Sequence, residues 1–435
     1  MKKYFRHQVL LLVLVLLVIA LASCSIIGGS SSDKAKYTFI VYGNCGDEKD
    51  QIIELGLWEK LKPVLQSDDI RVIVFYKYLS DDAHEFTGKY ANKGDVVFFE
   101  LTKDTDLYKI KEDSLEHWPD YRLDNPEYIS RVVKIAKSVA PAKNYIFVTW
   151  GHGGGFDYSF DYPEEYRQKA LLYDYAENAA HMEAMSAEEF ARALAATNTH
   201  FKAIFFHNCY MGNMESLHPI IPYADYIISS MHVLRSSGDP IIGLVKGLYA
   251  NSDFEKAAAY GFDDMYDEWF KSYTNANGDL KVLKTSELNQ FEDIFSRLAK
   301  RLVKLYPSKK TEIDSAMDEV YWGSDERAFV DARDYVNKLE AKTGDSEIKK
   351  IAKDMRSALD DAIIIEKNIS NLDDQSAPKL DRYSLSVVLC DKATMERNSS
   401  WLYPIGDAYE YSSFHKATGW GKWLRTNTNP VPFEW

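Results

Sequence analysis

The chain has 435 residues, 46% hydrophobic and 14% aromatic, with 66 acidic against 52 basic side chains for a formal charge of -14. Apolar content on that scale fills a sizeable core and excludes a disordered chain, and the length exceeds one typical domain. The acidic surplus is spread along the sequence rather than gathered in a tail, which argues against nucleic acid or anionic membrane surfaces as partners.

At the N-terminus, Lys2, Lys3, Arg6 and His7 precede an apolar run from Val9 to Leu21 and then Ala22-Ser23-Cys24. A basic start, an apolar middle and small residues before the exit describe a secretory signal. Ending on a cysteine, it resembles a bacterial lipobox, which implies loss of residues 1–23 and lipidation of Cys24. Residues 24–35, with their Gly and Ser, then read as a flexible tether. A transmembrane anchor needs about 18 or more apolar residues in a row, more than this run supplies. The expected location is the cell envelope, lipid-anchored in the outer membrane on its periplasmic or surface face. Beyond Cys24 the cysteines are Cys45, Cys209 and Cys390, an odd set without framework spacing, so no disulfide scaffold is implied. Cys45 and Cys390 border β-prone runs and read as small buried apolar groups.

Tyr37 to Tyr42 predicts a first strand, and Asp47 to Leu65 a helix with Ile52, Ile53, Leu55, Trp58 and Leu61 at helical spacing. Arg71 to Tyr76 and Val96 to Leu101 read as further strands. Asp124-Asn125-Pro126 reads as a helix start, with a capping side chain and Pro in the first turn, for a helix that runs to about Val139, before Pro141. Tyr145 to Trp150 is the next strand and ends in Gly151-His152-Gly153-Gly154-Gly155. Phe156 to Met185 shows no clean periodicity and reads as a long loop or small excursion. Ser186 with Glu189 is a capping-box signature for a helix to about Ala196. Phe201 to Phe206 leads to Cys209; Met211 to Leu217 reads as a short helix and Tyr226 to Ser230 as a strand. Alternation of this kind predicts a mostly parallel sheet covered on both faces, over residues 36–240. From 241 to 435 the pattern turns helical: Phe254 to Tyr273, Ser286 to Leu305, Asp325 to Leu339 and Ser346 to Ile369. A strand returns at Arg382 to Leu389, and Trp401, Tyr403, Tyr409, Tyr411, Phe414, Trp420 and Trp423 read as packing groups.

Two strand-like runs thus stop in small or polar residues, at His152 and at Cys209. In parallel sheets such endings meet in one crevice. A thiolate is a strong nucleophile and an imidazole is the usual group to take its proton, so the pair is a candidate for cysteine hydrolase chemistry. The N–H groups of Gly153 and Cys209 are candidate oxyanion donors. Spacing alone leaves open that Cys209 is a buried packing group. A metal site from His207, Cys209 and His232 lacks a completing ligand pair. A serine esterase lacks its Gly-x-Ser-x-Gly elbow, and phosphate binding at Gly153 to Gly155 lacks the following Lys-Ser or Lys-Thr.

Trp150-Gly-His-Gly-Gly-Gly155, Cys209-Tyr-Met211 and Glu215, with Tyr383 to Val387 and Phe414 to Leu424 near the C-terminus, resemble the clostripain-like cysteine peptidases. The resemblance spans Tyr37 to about Leu424. It implies a caspase-like α/β/α sandwich with a mostly parallel sheet, followed by a largely helical C-terminal region. It also implies Cys209 as nucleophile, His152 as general base and acid, peptide or protein as substrate, and no obligatory cofactor. Better-known members carry an Asp two residues before the nucleophile, in a pocket for Arg or Lys; here that position is His207, and a second pocket acid corresponds to Ser237 or Asp239. A basic side chain there would lose its counter-charge, so weakened preference for Arg and Lys is expected. A catalytically inactive homologue that binds peptides or envelope partners is the other reading of the same change. His207 itself reads as a strand-end histidine satisfied by backbone carbonyls rather than a third catalytic member. Relatives often mature by internal cleavage, for which Arg167 and Lys169 in the excursion are candidate points. Some need calcium, but Asp263-Asp264 and Asp373-Asp374 lack a calcium-loop pattern and read as solvated faces.

Overall fold

The computed structural model describes residues 34–44, 56–77, 96–106, 116–118, 125–156, 172–175, 182–235, 239–271, 277–323, 329–370, 380, 382–389, 409 and 412–428. Cys24, Cys45, Cys390, Ser237, Arg167, Lys169 and Asp373-Asp374 lie outside them.

Five strands form a parallel centre: β1 (Ala35–Asn44), β2 (Ile70–Lys77), β5 (Ala142–Trp150), β8 (Phe201–His207) and β9 (Ala224–Ser229). Antiparallel strands extend it on both sides: β3 (Val96–Leu101) and β4 (Glu116–Trp118) beyond β2, and β10 (Asn277–Lys284) and β12 (Ile363–Ser370) beyond β9. The order is β12-β10-β9-β8-β5-β1-β2-β3-β4. β6 (Leu172–Tyr175) pairs with β7 (Met182–Met185), and β11 (Phe329–Asp331) with β13 (Ser386–Val388), in two small antiparallel sheets.

Alternation along each central strand builds two cores. Phe147, Ile204 and Phe206 face a layer formed by the helices Pro126–Val139, Ala187–Ala196, Gln290–Glu319, Ala332–Thr343 and Ser346–Ala362 and the C-terminal helices. Ile146, Val148, Trp150 and Phe205 face the other layer, which includes Leu57, Trp58, Leu61 and the helices Asp239–Ala250 and Phe254–Asp264. A sheet buried on both faces explains why its strands read as continuous apolar runs. The predicted caps form as written: Asn125 accepts from the Glu127 N–H, and Ser186 and Glu189 close a full capping box.

The C-terminal half is helical, yet it also supplies β10 and β12 to the central sheet, and position 240 falls inside the helix Asp239–Ala250. Three element readings need correction. The helix expected from Asp325 to Leu339 begins only at Ala332, because Phe329–Asp331 pairs as a strand with Ser386–Val388. The helix expected from Ser346 to Ile369 stops at Ala362, because Ile363-Ile364-Ile365 is a β-branched run that pairs with β10. β10 went unread because Asp279 and Lys281 interrupt its apolar pattern, although both are buried. The returning strand is confined to Ser386–Val388 and pairs with β11 rather than joining the main sheet.

Candidate active site

The register of β5 against β8 decides the geometry. The two strands run parallel with Trp150 opposite His207. His152 lies two residues past Trp150 and Cys209 two past His207, so both leave adjacent strands at the same level, with strands about 4.8 Å apart.

Asn208 fastens the two exits together. Its amide donates to the carbonyls of Gly151 at 3.1 Å and His152 at 2.9 Å, and its carbonyl accepts from the Thr149 hydroxyl. Gly153 packs directly on the other strand's exit: a Cβ placed there would stand 2.5 Å from the Cys209 carbonyl oxygen and 2.9 Å from its nitrogen. Any side chain at 153 would therefore push the loop off Cys209, which is the physical reason for glycine at this position. Gly151 (φ 137°) and Tyr210 (φ 60°) turn the chain on either side, and Tyr210 is one of two non-glycine residues with positive φ among the described residues. Strain of that kind persists only where the surroundings impose it.

The segment after β9 imposes it here. Tyr210 N–H donates to the His232 carbonyl at 3.0 Å and Gly212 N–H to the Ser230 carbonyl at 2.6 Å. On the other side Asn213 donates to the Tyr210 carbonyl at 2.7 Å while capping the short helix Met214–Leu217. Cys209 is half-buried, forms no disulfide among the described residues, and directs its Sγ at the Leu234 carbonyl, 3.8 Å away. His152 is exposed.

His207 is 2% exposed and stacks on Trp150 with ring centroids 4.0 Å apart. Burial pushes its imidazole down to about 3, so it is neutral at pH 7. Its Nε2 is buried without a hydrogen-bond partner among the described residues. The expectation of a histidine satisfied by backbone carbonyls therefore fails for that nitrogen: stacking, not hydrogen bonding, occupies this face. Asp239 is 9% exposed at the start of its helix, 3.7 Å from the Lys60 ammonium.

His232 cannot serve in a metal set with His207 and Cys209, because both of its nitrogens are engaged. Nδ1 meets Asp279 at 2.6 Å and Nε2 the Tyr321 hydroxyl at 2.8 Å. Asp279 also accepts from the Ser230 hydroxyl at 2.7 Å and the Met231 and His232 N–H groups at 3.1 and 3.2 Å, and pairs with the Lys281 ammonium. Burial alone would raise its carboxyl, but the Lys281 ammonium and the His232 ring outweigh that and hold it far below the usual carboxylate range. Asn208 and Asp279, which hold the chain around His152 and Cys209, are the residues that sequence reading missed. The signal for Asn208 was an amide just before the cysteine at a strand end; Asp279 gave none, since apart from Lys281 the partners cited for it are 47 to 49 residues away.

Glu215 is fully buried, accepts from Tyr409 at 2.5 Å and from the Val388 N–H at 3.0 Å, and is raised by burial to about 7. Among the described residues no three His, Cys, Asp or Glu side chains are grouped to hold a metal. Asp264 pairs with Lys246 at 2.7 Å and Asp263 with Lys367.

The sequence profile described as the clostripain family matches residues 45–424. No curated protein matches the chain. Among solved structures, a secreted C11 cysteine protease from Bacteroides thetaiotaomicron, held with an irreversible peptide inhibitor, is similar with a TM-score of 0.61 at 18% identity. That match covers 89% of this chain and 99% of the other. The Bacteroides thetaiotaomicron protease called iotapain aligns with a TM-score of 0.61 at 16% identity, over 88% and 99% of the two chains. An inactive zymogen C11 protease from Parabacteroides distasonis aligns at 0.56 and 17%, over 88% and 98%. At such identities the structural likeness speaks for the fold: a mostly parallel sheet between helical layers.

Proposed function

The chain belongs to the clostripain family and is a cysteine peptidase; from that premise we propose that it cuts peptide bonds with Cys209 as nucleophile and His152 as general base and acid. In this reading the Cys209 thiol gives its proton to the His152 imidazole, and Sγ attacks the scissile carbonyl carbon. The N–H groups of Gly153 and Cys209 receive the developing oxyanion. Collapse breaks the C–N bond as the imidazolium returns its proton to the leaving amine. A water deprotonated by His152 then hydrolyses the thioester, releasing the acid and restoring the thiol.

The observation that supports this most is the packing of Gly153 on the Cys209 backbone, within a β5–β8 register that sends the two exits out side by side. Asn208 supports it further by tying the His152 carbonyl to the residue before the nucleophile. Preference for Arg or Lys before the scissile bond is weakened, because the position two before the nucleophile carries a neutral, buried histidine. The test is hydrolysis of a diverse peptide library by wild type and Cys209→Ala. Undiminished hydrolysis by the variant contradicts the assignment; no hydrolysis by either leaves the peptide-binding homologue as the surviving reading.

No cofactor is required in this scheme. The N-terminal signal adds a lipid anchor on Cys24 to the proposal, with the cell envelope as location. Intact-mass analysis of the mature N-terminus checks it: diacylglyceryl mass on Cys24 is expected, and an unmodified Cys24 or retained residues 1–23 contradict it.

A further inference from the structure

The loop after His152 and the turn after Cys209 share a neighbour from the C-terminal half. β13 lies along the turn: the Ser386 N–H donates to the Gly212 carbonyl at 2.9 Å, Ser386 forms a parallel bridge with Asn213, and the Val388 N–H donates to Glu215 at 3.0 Å. β11 pairs with β13, with Phe329 opposite Val388. The Phe329 ring closes on the loop, since a Cβ built on Gly155 would stand 2.7 Å from its ring tip and 3.1 Å from the Asn213 amide nitrogen. Gly155 has φ 77°, which glycine adopts without strain, so loop and ring meet where a side chain has no room.

One two-stranded ribbon therefore touches the chain just past both members of the dyad. A second link runs through Tyr409, which packs edge-on against Phe156 with ring centroids 5.1 Å apart and donates its hydroxyl to Glu215. Phe329, Ser386, Val388 and Glu215 are all buried, so the contacts sit in close-packed interior that transmits a displacement rather than absorbing it. The scheme above gives none of these residues a reacting atom to hold.

We propose that Phe329 and Glu215 are positioning residues of the peptidase: the β11–β13 ribbon grips the loop after His152 through Phe329 and the turn after Cys209 through Glu215, and so keeps imidazole and thiol in register. The proposal rests on the peptidase reading above. Proton transfer and attack depend on that register, and a misplacement of about 1 Å costs about a hundredfold in rate. Glu215 acts here as an acceptor through Oε1, while its Oε2 has no partner among the described residues, so a glutamine presents the same acceptor to Val388 and Tyr409.

Full-length protein should be assayed on a peptide that the wild type cleaves, with kcat expressed per Cys209 labelled at completion by an irreversible acyloxymethyl ketone, so that unfolded protein does not count. Phe329→Ala and Glu215→Ala should each lower kcat at least about tenfold with KM changed less than about threefold, because the chemistry rather than substrate contact is disturbed. The milder Phe329→Leu should fall between wild type and Phe329→Ala, and Glu215→Gln should recover most of what Glu215→Ala loses. Leu248→Ala opens a cavity in the layer on the sheet's other face and is the control: it should lower the unfolding midpoint while kcat per labelled site keeps its wild-type value. An unchanged kcat in Phe329→Ala, a loss in Leu248→Ala as large as in Phe329→Ala, Glu215→Gln as slow as Glu215→Ala, or losses carried by KM overturn the ribbon's role and leave the dyad standing. Cleavage that persists in Cys209→Ala, or no cleavage and no labelling in the wild type, overturns the dyad reading beneath it and the ribbon's role with it.

Discussion

His207 ends β8 and His232 lies just past the neighbouring β9; they are 2% and 4% exposed, yet the protein buries them by opposite means. His207 is packed: it lies flat on Trp150, carries no charge, and leaves Nε2 without a partner among the described residues. His232 is wired: carboxylate, phenol and ammonium close around it through Asp279, Tyr321 and Lys281. Yet the two regions meet, since the His232 and Ser230 carbonyls hold the chain on the far side of Cys209. Cys209 thus sits between a side packed by ring stacking and a side held by a buried charged network.

The largest effect should come from the wired side. Asp279→Ala leaves a buried ammonium uncompensated and frees Ser230 and Met231, so it should cost about 3–5 kcal/mol, read by denaturant unfolding. Because the folded carboxyl lies below its unfolded value, its contribution is complete above about pH 4 and is lost only as pH falls toward the folded value.

The packed side titrates differently. A histidine whose folded value is about 3 takes up its proton in the unfolded chain first, so stability is full above about pH 6.5 and falls as pH drops toward 3. The expected slope approaches about 1.4 kcal/mol per pH unit, and His207→Phe should remove it from the pH series. An unchanged slope in that variant would place the acid sensitivity elsewhere.

Asn208→Ala should come next. Loss of its bonds to Thr149, Gly151 and His152 should cost about 1–3 kcal/mol, with a fall in kcat larger than any change in KM, because His152 rather than substrate is displaced. The smallest effect is expected for His207→Phe at pH 7: an aromatic ring of similar shape, with no orphaned nitrogen, should lie within about 1 kcal/mol of wild type.

Much of the packed region could be read in the sequence. The apolar strands ending in glycines, in His152 and in Cys209 follow from the rule that a parallel sheet buries both faces and opens at its carboxyl end. The wired region could not. In Asn277–Lys284, Asp279 and Lys281 break the apolar pattern; inside the protein they pair with each other, and the remaining partners of Asp279, Ser230 to His232, come from another strand's end. The triple isoleucine at 363–365 continued a helical period and became a strand only because β10 offers it an edge. Both failures have one cause, since long-range pairing overrides local pattern.

The central claim is that His152 activates Cys209, and an irreversible acyloxymethyl ketone peptide followed by peptide mass spectrometry tests it most directly. Stoichiometric labelling at Cys209 in the wild type, with at least about a hundredfold slower labelling in His152→Ala, is the predicted result. Equal labelling rates in the two proteins, or modification away from Cys209, would contradict it.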